Sequence, residues 1–249
     1  MYVSILFGVL GTILGSFICV LAERIHTGQS FIKGKSRCNS CNKELRSIDL
    51  VPVLTWIVAR GRCLRCKSKI PFTYLLIELT LGIAFALTYV HLGPTLPSLL
   101  FLIALCIATF VVVYDLRHTV VPVYASTSLA LVSLLFSWLT LGAGPLFGSA
   151  LILAGCITLF FTALHIGSKG RAMGLGDAPI AFSLALLTFP YSLTGLVVSF
   201  WVGALYGVTV LLVRRRGPTM GIEVPFVPFL VLGHLLAFFF SWNLFSIVS

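Results

Sequence analysis

Long apolar runs broken by short polar, glycine- or proline-rich stretches dominate the chain. They cover residues 2–22, 72–92, 98–114, 123–141, 146–166, 178–189, 193–213 and 224–247. Most reach or approach the ~20 residues that cross a bilayer as an α-helix. The pattern predicts an all-α polytopic membrane protein with about eight transmembrane helices. The run at 178–189 is short, which calls for tilt, re-entry or a surround of protein instead of lipid. Residues 23–71 interrupt the pattern with a polar, basic loop. The chain therefore divides into a first transmembrane helix at 1–22, a loop domain at 23–71 and a membrane core at 72–249.

Composition agrees with this reading. The sequence is 59% hydrophobic and only 10% charged, with a mean hydropathy of +1.08, which excludes a water-soluble fold. The first run lacks a basic segment before it, so it reads as a retained helix and not a signal peptide.

Charge sets the orientation. Of 17 Lys and Arg residues, eleven lie between Glu23 and Ile70, and the others are Arg117, Lys169, Arg171, Arg214, Arg215 and Arg216. With the N-terminus outside, all fall on the cytoplasmic side, as the positive-inside rule requires. The opposite connections at 93–97, 142–145 and 190–192 carry no charge. Eleven bases against Glu23, Glu44 and Asp49 leave the first loop at +8 of the net +10. Such a loop attracts anionic membrane lipids. It shows neither an aromatic stacking pattern nor a nucleic-acid-binding module, so no nucleic-acid partner is expected.

The same loop holds Cys38-Asn39-Ser40-Cys41 and, 21 residues later, Cys63-Leu64-Arg65-Cys66. Each C-x2-C knuckle offers two thiolates, and four complete a tetrahedral zinc site. Disulfides are the alternative, disfavoured on the cytoplasmic side. A four-sulfur site leaves no open position for water, so the zinc expected here is structural. It would hold together a module with little core of its own.

Outside that loop the acids are Glu78, Asp115, Asp177 and Glu223. A carboxylate in so apolar a chain is costly against lipid, which makes each a functional candidate. Asp177 ends Gly174-Leu175-Gly176-Asp177, whose glycines allow a second backbone to come close. It also suits the N-cap of a helix starting at Ala178. Asp115 lies at the cytoplasmic end of its span, at the depth of Asp177. Alternatively it is a solvated helix-end residue paired with Arg117 or His118. If the two meet they would share a proton, giving one general base and one general acid for hydrolysis of a peptide bond. Tyr74 and Glu78 share a helix face, and Glu223 opens the proline-rich approach to the last span. Both acids are candidates for binding a basic substrate segment or for structural roles.

Taken together, Gly15-Ser16-Phe17, both knuckles, Pro71 to Glu78, Asp115 through Pro122, Gly174 to Asp177, and Pro225-Phe226 with Pro228-Phe229 resemble the type IV prepilin leader peptidase family. These are GxGD-type intramembrane aspartic peptidases. The resemblance implies that Asp115 and Asp177 are catalytic. It implies cleavage of basic leaders from type IV prepilins or pseudopilins at the cytoplasmic membrane face of a bacterial inner membrane. It also implies N-methylation of the new terminus with S-adenosylmethionine, although residues 23–71 contain no glycine-rich nucleotide loop. Three positions depart from the family pattern: Val123 after Val121-Pro122, Pro179 where a lysine is common, and Arg24-Ile25-His26 where Arg-x-Pro is frequent. From the residues alone, a proton- or cation-coupled transporter and a zinc-dependent scaffold remain open beside the peptidase.

Overall fold

The computed structural model describes residues 2–28, 30, 36–38, 40–46, 50–171, 173–214 and 225–245. Glu223, one of the two candidate substrate-binding acids, lies outside them. Among the described residues the secondary structure is helical apart from two isolated bridges. Six helices are long and apolar enough to span a membrane: α1 (Tyr2–His26), α3 (Phe72–Leu92), α4 (Leu96–His118), α5 (Val123–Leu141), α6 (Pro145–Ser168) and α8 (Ser192–Arg214). Two shorter apolar helices, α7 (Asp177–Leu187) and α9 (Val227–Phe239), stand where the remaining two spans are expected. Among the described residues of the basic loop there is one short helix, α2 (Leu54–Val58).

The residues group into two compact units, Met1–Pro94 and Thr95–Ser249. The first runs past residue 71, where the sequence-based division falls, because α3 packs along α1. Glycines make that contact close. A Cβ on Gly11 would stand 2.7 Å from the Leu81 carbonyl, and one on Gly82 would stand 2.6 Å from the Thr12 methyl. Backbones brought this near gain van der Waals contact, the main source of helix association where lipid tails are as apolar as the side chains.

Between α1 and α3 the two knuckles repeat one geometry. The N–H of Cys38 donates to the Lys43 carbonyl and that of Asn42 to Cys38; the N–H of Cys63 donates to Ser68 and that of Lys67 to Cys63. Asn42 and Lys67 both take the left-handed conformation, and the bridges Arg37↔Glu44 and Arg62↔Lys69 close the two turns alike. This internal repeat is hidden in the sequence because only the two cysteines and the arginine before the first of them match in both copies. Helix α2 leaves Leu54, Ile57 and Val58 exposed.

In the second unit, α4 begins at the Thr95 cap, whose hydroxyl accepts from the Ser98 N–H, with Pro97 in the first turn. It continues one turn beyond the expected end at Tyr114, to His118. There Thr119 turns left-handed and its N–H closes on the Asp115 carbonyl. Helix α7 packs with α5, α6, α8 and α9. Nine of its eleven residues are buried, so its shortness is explained by a surround of protein in place of lipid. Helices α8 and α9 cross tightly: a Cβ on Gly195 would meet the His234 Cα at 2.9 Å, and one on Gly233 would overlap Ser199. Phe161, Phe200, Phe226 and Phe229 form one aromatic cluster at the start of α9.

Candidate active site and metal centre

Asp115 and Asp177 come from different helices and are both nearly excluded from solvent, at 6% and 7% exposure. Asp115 occupies the last turn of α4, where the exposed carbonyl ends of the helix disfavour a negative charge. One hydrogen bond offsets this: the backbone N–H of Val227, the first residue of α9, donates to its carboxylate. The Asp115 Oδ2 atom is buried and accepts no hydrogen bond from the described residues. A buried carboxylate oxygen left in this state is costly to maintain, and such atoms concentrate where a reactant completes the site.

Asp177 is the first residue of α7, with Gly176 at the N-cap. The helix thus begins one residue earlier than a cap at Asp177 would place it. The carboxylate reaches back to accept from the Gly174 N–H, and Oδ2 lies 3.6 Å from where a Gly174 Cβ would stand. A negative charge in the first turn is favoured by the helix dipole. Gly176 has a different task. Its missing Cβ would sit 2.8 Å from the Val121 Cβ, so the turn before Asp177 lies against the segment that follows Asp115. The two carboxylates are near enough for the charge of Asp115 to act on Asp177.

The sequence missed the third contributor, the Val227 N–H. Its only local sign is the pair of prolines, Pro225 just before α9 and Pro228 in its first turn, where the backbone N–H groups have no partner within the helix.

In the first unit the four thiols of Cys38, Cys41, Cys63 and Cys66 lie within 4.8 Å of one another. The Cys38 and Cys66 sulfurs are 3.8 Å apart, too far for a disulfide. Tetrahedral placement of four sulfurs at about 2.3 Å from a zinc ion gives an edge of about 3.8 Å. The donor set therefore fits a metal ion. Backbone N–H groups of Cys41 and Ser40 pull the Cys38 thiol down to about 6, and the Ser68 hydroxyl lowers that of Cys66. Both shifts favour the thiolate form that binds metal.

Beside the knuckles is a cavity of ≈ 260 Å3 bordered by Glu78, Trp56 and Tyr74. Glu78 is 7% exposed, and its Oε2 accepts a 2.7 Å hydrogen bond from the Val53 N–H. Val53 itself is held at φ 62°, ψ −55°, a strained turn for a β-branched residue. The Trp56 indole N–H is buried without an acceptor among the described residues. Glu23 together with Arg37 and Arg62 also lines the space. A buried carboxylate, an unused N–H and charges of both signs fit a small ligand with cationic and anionic groups.

Residues 9–92 match the family model described as the bacterial Peptidase A24 N-terminal domain. The chain is 28% identical to the prepilin leader peptidase/N-methyltransferase of Bacillus subtilis (strain 168), over 98% of this chain and 96% of that relative. It is 32% identical to the protein of the same name from Myxococcus xanthus (strain DK1622), over 84% of this chain and 64% of the relative. With the Aeromonas hydrophila protein of that name identity is 30%, over 82% and 70%. No solved structure matches the chain. Similarity at these levels, running through both units, makes this chain a member of the prepilin leader peptidase/N-methyltransferase family.

Proposed function

We propose that the protein is a membrane-embedded aspartic endopeptidase that removes the basic leader from type IV prepilins or pseudopilins at the cytoplasmic face of the bacterial inner membrane and then N-methylates the new terminus. The observation that carries the peptidase reading is the pairing of two buried carboxylates, Asp115 and Asp177, across segments pressed together at Val121 and Gly176.

Two close carboxylates in a poorly solvated site hold one proton between them. The ionised member accepts a proton from water, and the resulting hydroxide oxygen forms a bond to the scissile carbonyl carbon. The protonated member gives its proton to the carbonyl oxygen. Proton transfer to the amide nitrogen then lets the C–N bond break, releasing the leader's new carboxylate and the amine of the mature pilin. Val227 and Gly174 each spend a backbone N–H on one carboxylate, which fixes its orientation without adding a competing charge. The unpaired Oδ2 of Asp115 is the atom best placed to engage water or the substrate carbonyl.

Cys38, Cys41, Cys63 and Cys66 would hold a structural zinc, which ties the two knuckles together. When bound, S-adenosylmethionine supplies the methyl group for the second activity. The eleven bases of the first loop would sit at the cytoplasmic surface against anionic lipid. They would repel a basic leader, so the leader's charge would be met elsewhere, with Glu78 and Glu223 as the candidates.

The test is leader cleavage in detergent or nanodiscs by Asp115→Asn and Asp177→Asn, each with wild-type zinc content. Both should lose about 100-fold or more of kcat, the range of general acid and base contributions. Wild-type cleavage by either variant would overturn the assignment. Proton flux through proteoliposomes by a protein that cleaves no prepilin would favour the relay reading instead.

A further inference from the structure

Helix α6 ends in a turn that folds back over one of its own side chains. Lys169 and Gly170 both take left-handed conformations, at φ 54° and 75°, and the Gly170 N–H donates to the His165 carbonyl at 2.8 Å. Two such residues in succession reverse the chain, so that it crosses the His165 imidazole: a Cβ on Gly170 would stand 3.3 Å from the ring's Cε1 atom. The Ser168 hydroxyl donates to the same His165 carbonyl at 3.3 Å. Beyond the reversal, the Nδ1 atom of His165 lies 2.9 Å from the Met173 carbonyl oxygen. A carbonyl oxygen only accepts, so Nδ1 carries the proton and donates.

Met173 shares its peptide unit with Gly174, whose N–H donates to the Asp177 carboxylate. One planar amide therefore stands between imidazole and carboxylate, its oxygen held by His165 and its N–H by Asp177. Planarity couples the two directions: fixing the C=O fixes the N–H that points the opposite way. Linked hydrogen bonds also polarise one another, so a carbonyl that accepts makes its own N–H a better donor. The Gly174 carbonyl closes the grip from the other side, accepting the Asp177 N–H at 3.2 Å. Glycine is the least restrained of residues, and a peptide that ends on one needs an anchor outside itself.

We propose that His165 is a positioning residue for Asp177, acting through the Met173–Gly174 peptide and not on the substrate. Its Nδ1–H holds the peptide so that the Gly174 N–H stays on the carboxylate that works with Asp115. The inference rests on the aspartic peptidase reading above. An imidazole suits the task because it donates while neutral. A lysine or arginine in its place would bring a fixed positive charge near the pair and favour the doubly ionised form, against a shared proton.

Leader cleavage by the full-length, zinc-loaded protein in nanodiscs tests this with His165→Leu and with His165→Asn, whose amide nitrogen keeps a donor near the Nδ1 position. His165→Leu should lose about tenfold in kcat with KM within about twofold of wild type, the size expected for one hydrogen bond. His165→Asn should recover to within about threefold of wild type. Added to Asp177→Asn, His165→Leu should cost less than about twofold more, because a residue that acts through the Asp177 carboxylate then has nothing left to position. Wild-type kcat in His165→Leu, equal losses in the leucine and asparagine variants, or the full tenfold loss on top of Asp177→Asn overturns the positioning role. Wild-type cleavage by Asp177→Asn removes the peptidase reading and this inference with it, whereas an impaired Asp177→Asn beside a wild-type His165→Leu removes only the role of His165. Solid-state NMR of the wild-type protein, isotope-labelled at histidine ring nitrogens and methionine carbonyl carbons, tests the contact without any variant. In alkaline buffer the ring nitrogen coupled to a methionine carbonyl should be protonated; an unprotonated nitrogen there, or no such coupling, overturns the proposal.

Discussion

Gly176 and Val121 meet so closely that a Cβ on the glycine would stand 2.8 Å from the valine Cβ. This contact joins the turn bearing Asp177 to the segment leaving Asp115. Gly176→Ala must push the two apart by several tenths of an ångström, at a cost of about 1–3 kcal/mol for overpacking. Leader cleavage by Gly176→Ala should fall at least tenfold in kcat, with Val121→Ala in the same chain restoring part of the loss. Gly174→Ala, whose added Cβ meets only the Asp177 carboxylate at 3.6 Å, should lose less. Equal losses in the two glycine variants, without rescue, would count against the contact as the element that sets the carboxylate spacing.

A shared proton also fixes the form of the pH profile. One carboxylate must be ionised and the other protonated, so kcat/KM for leader cleavage should rise and then fall with pH, reporting two apparent values that belong to the pair. A profile with one limb between the acid limit of stability and neutral pH would remove the acid and base division of labour.

The zinc module gives a pH prediction with a definite sign. Cys38 is an acid whose value in the fold, about 6, lies below the ordinary thiol range because the N–H groups of Cys41 and Ser40 favour the thiolate. Its contribution is therefore full above the ordinary thiol range and is lost as pH falls through about 6. At pH 7.5 the Cys38 thiol has already given up its proton, so zinc binding to metal-stripped protein should release fewer than four protons. Below about pH 6 Cys38 joins the count and affinity should drop more steeply. Calorimetry in buffers of different ionisation heat measures the number; release of four protons at pH 7.5 would exclude a preformed thiolate.

Much of the candidate site is legible in the residues themselves. The knuckle spacing names the four thiols, and the scarcity of acids in an apolar chain singles out Asp115 and Asp177, because a carboxylate has few places to be tolerated there. The asymmetry of Lys and Arg leads to the expectation that both lie toward one side of the membrane. What stays hidden is supplied by main chain. The donors to Asp115, Asp177 and Glu78 are the backbone N–H groups of Val227, Gly174 and Val53, which every residue but proline possesses and which sequence therefore does not mark. The close fit of Trp56 over Gly61 is hidden for the same reason: it depends on a left-handed turn five residues on, not on either residue alone. The short seventh helix is visible as an anomaly in its length, and its burial among four other helices accounts for it.

The crossing of α8 and α9 carries the last prediction. A Cβ on Gly233 would overlap the Ser199 backbone and hydroxyl, and that hydroxyl donates to the Gly195 carbonyl at 2.7 Å and the Leu230 carbonyl at 3.2 Å. Gly233→Ala must separate the helices and break the link to Leu230, so it should destabilise the protein by about 3 kcal/mol, the upper end for overpacking. Because α9 also presents the Val227 N–H to Asp115, leader cleavage should fall before the protein unfolds. Gly207→Ala on α8 is the matched control: nothing among the described residues lies within 4 Å of the added Cβ, and helix propensity favours alanine by up to about 1 kcal/mol. Thermal unfolding in detergent should therefore move down for Gly233→Ala and stay level or rise for Gly207→Ala. Matching shifts in the two variants would mean that the crossing is looser than its geometry requires, and that α9 does not position the Asp115 carboxylate.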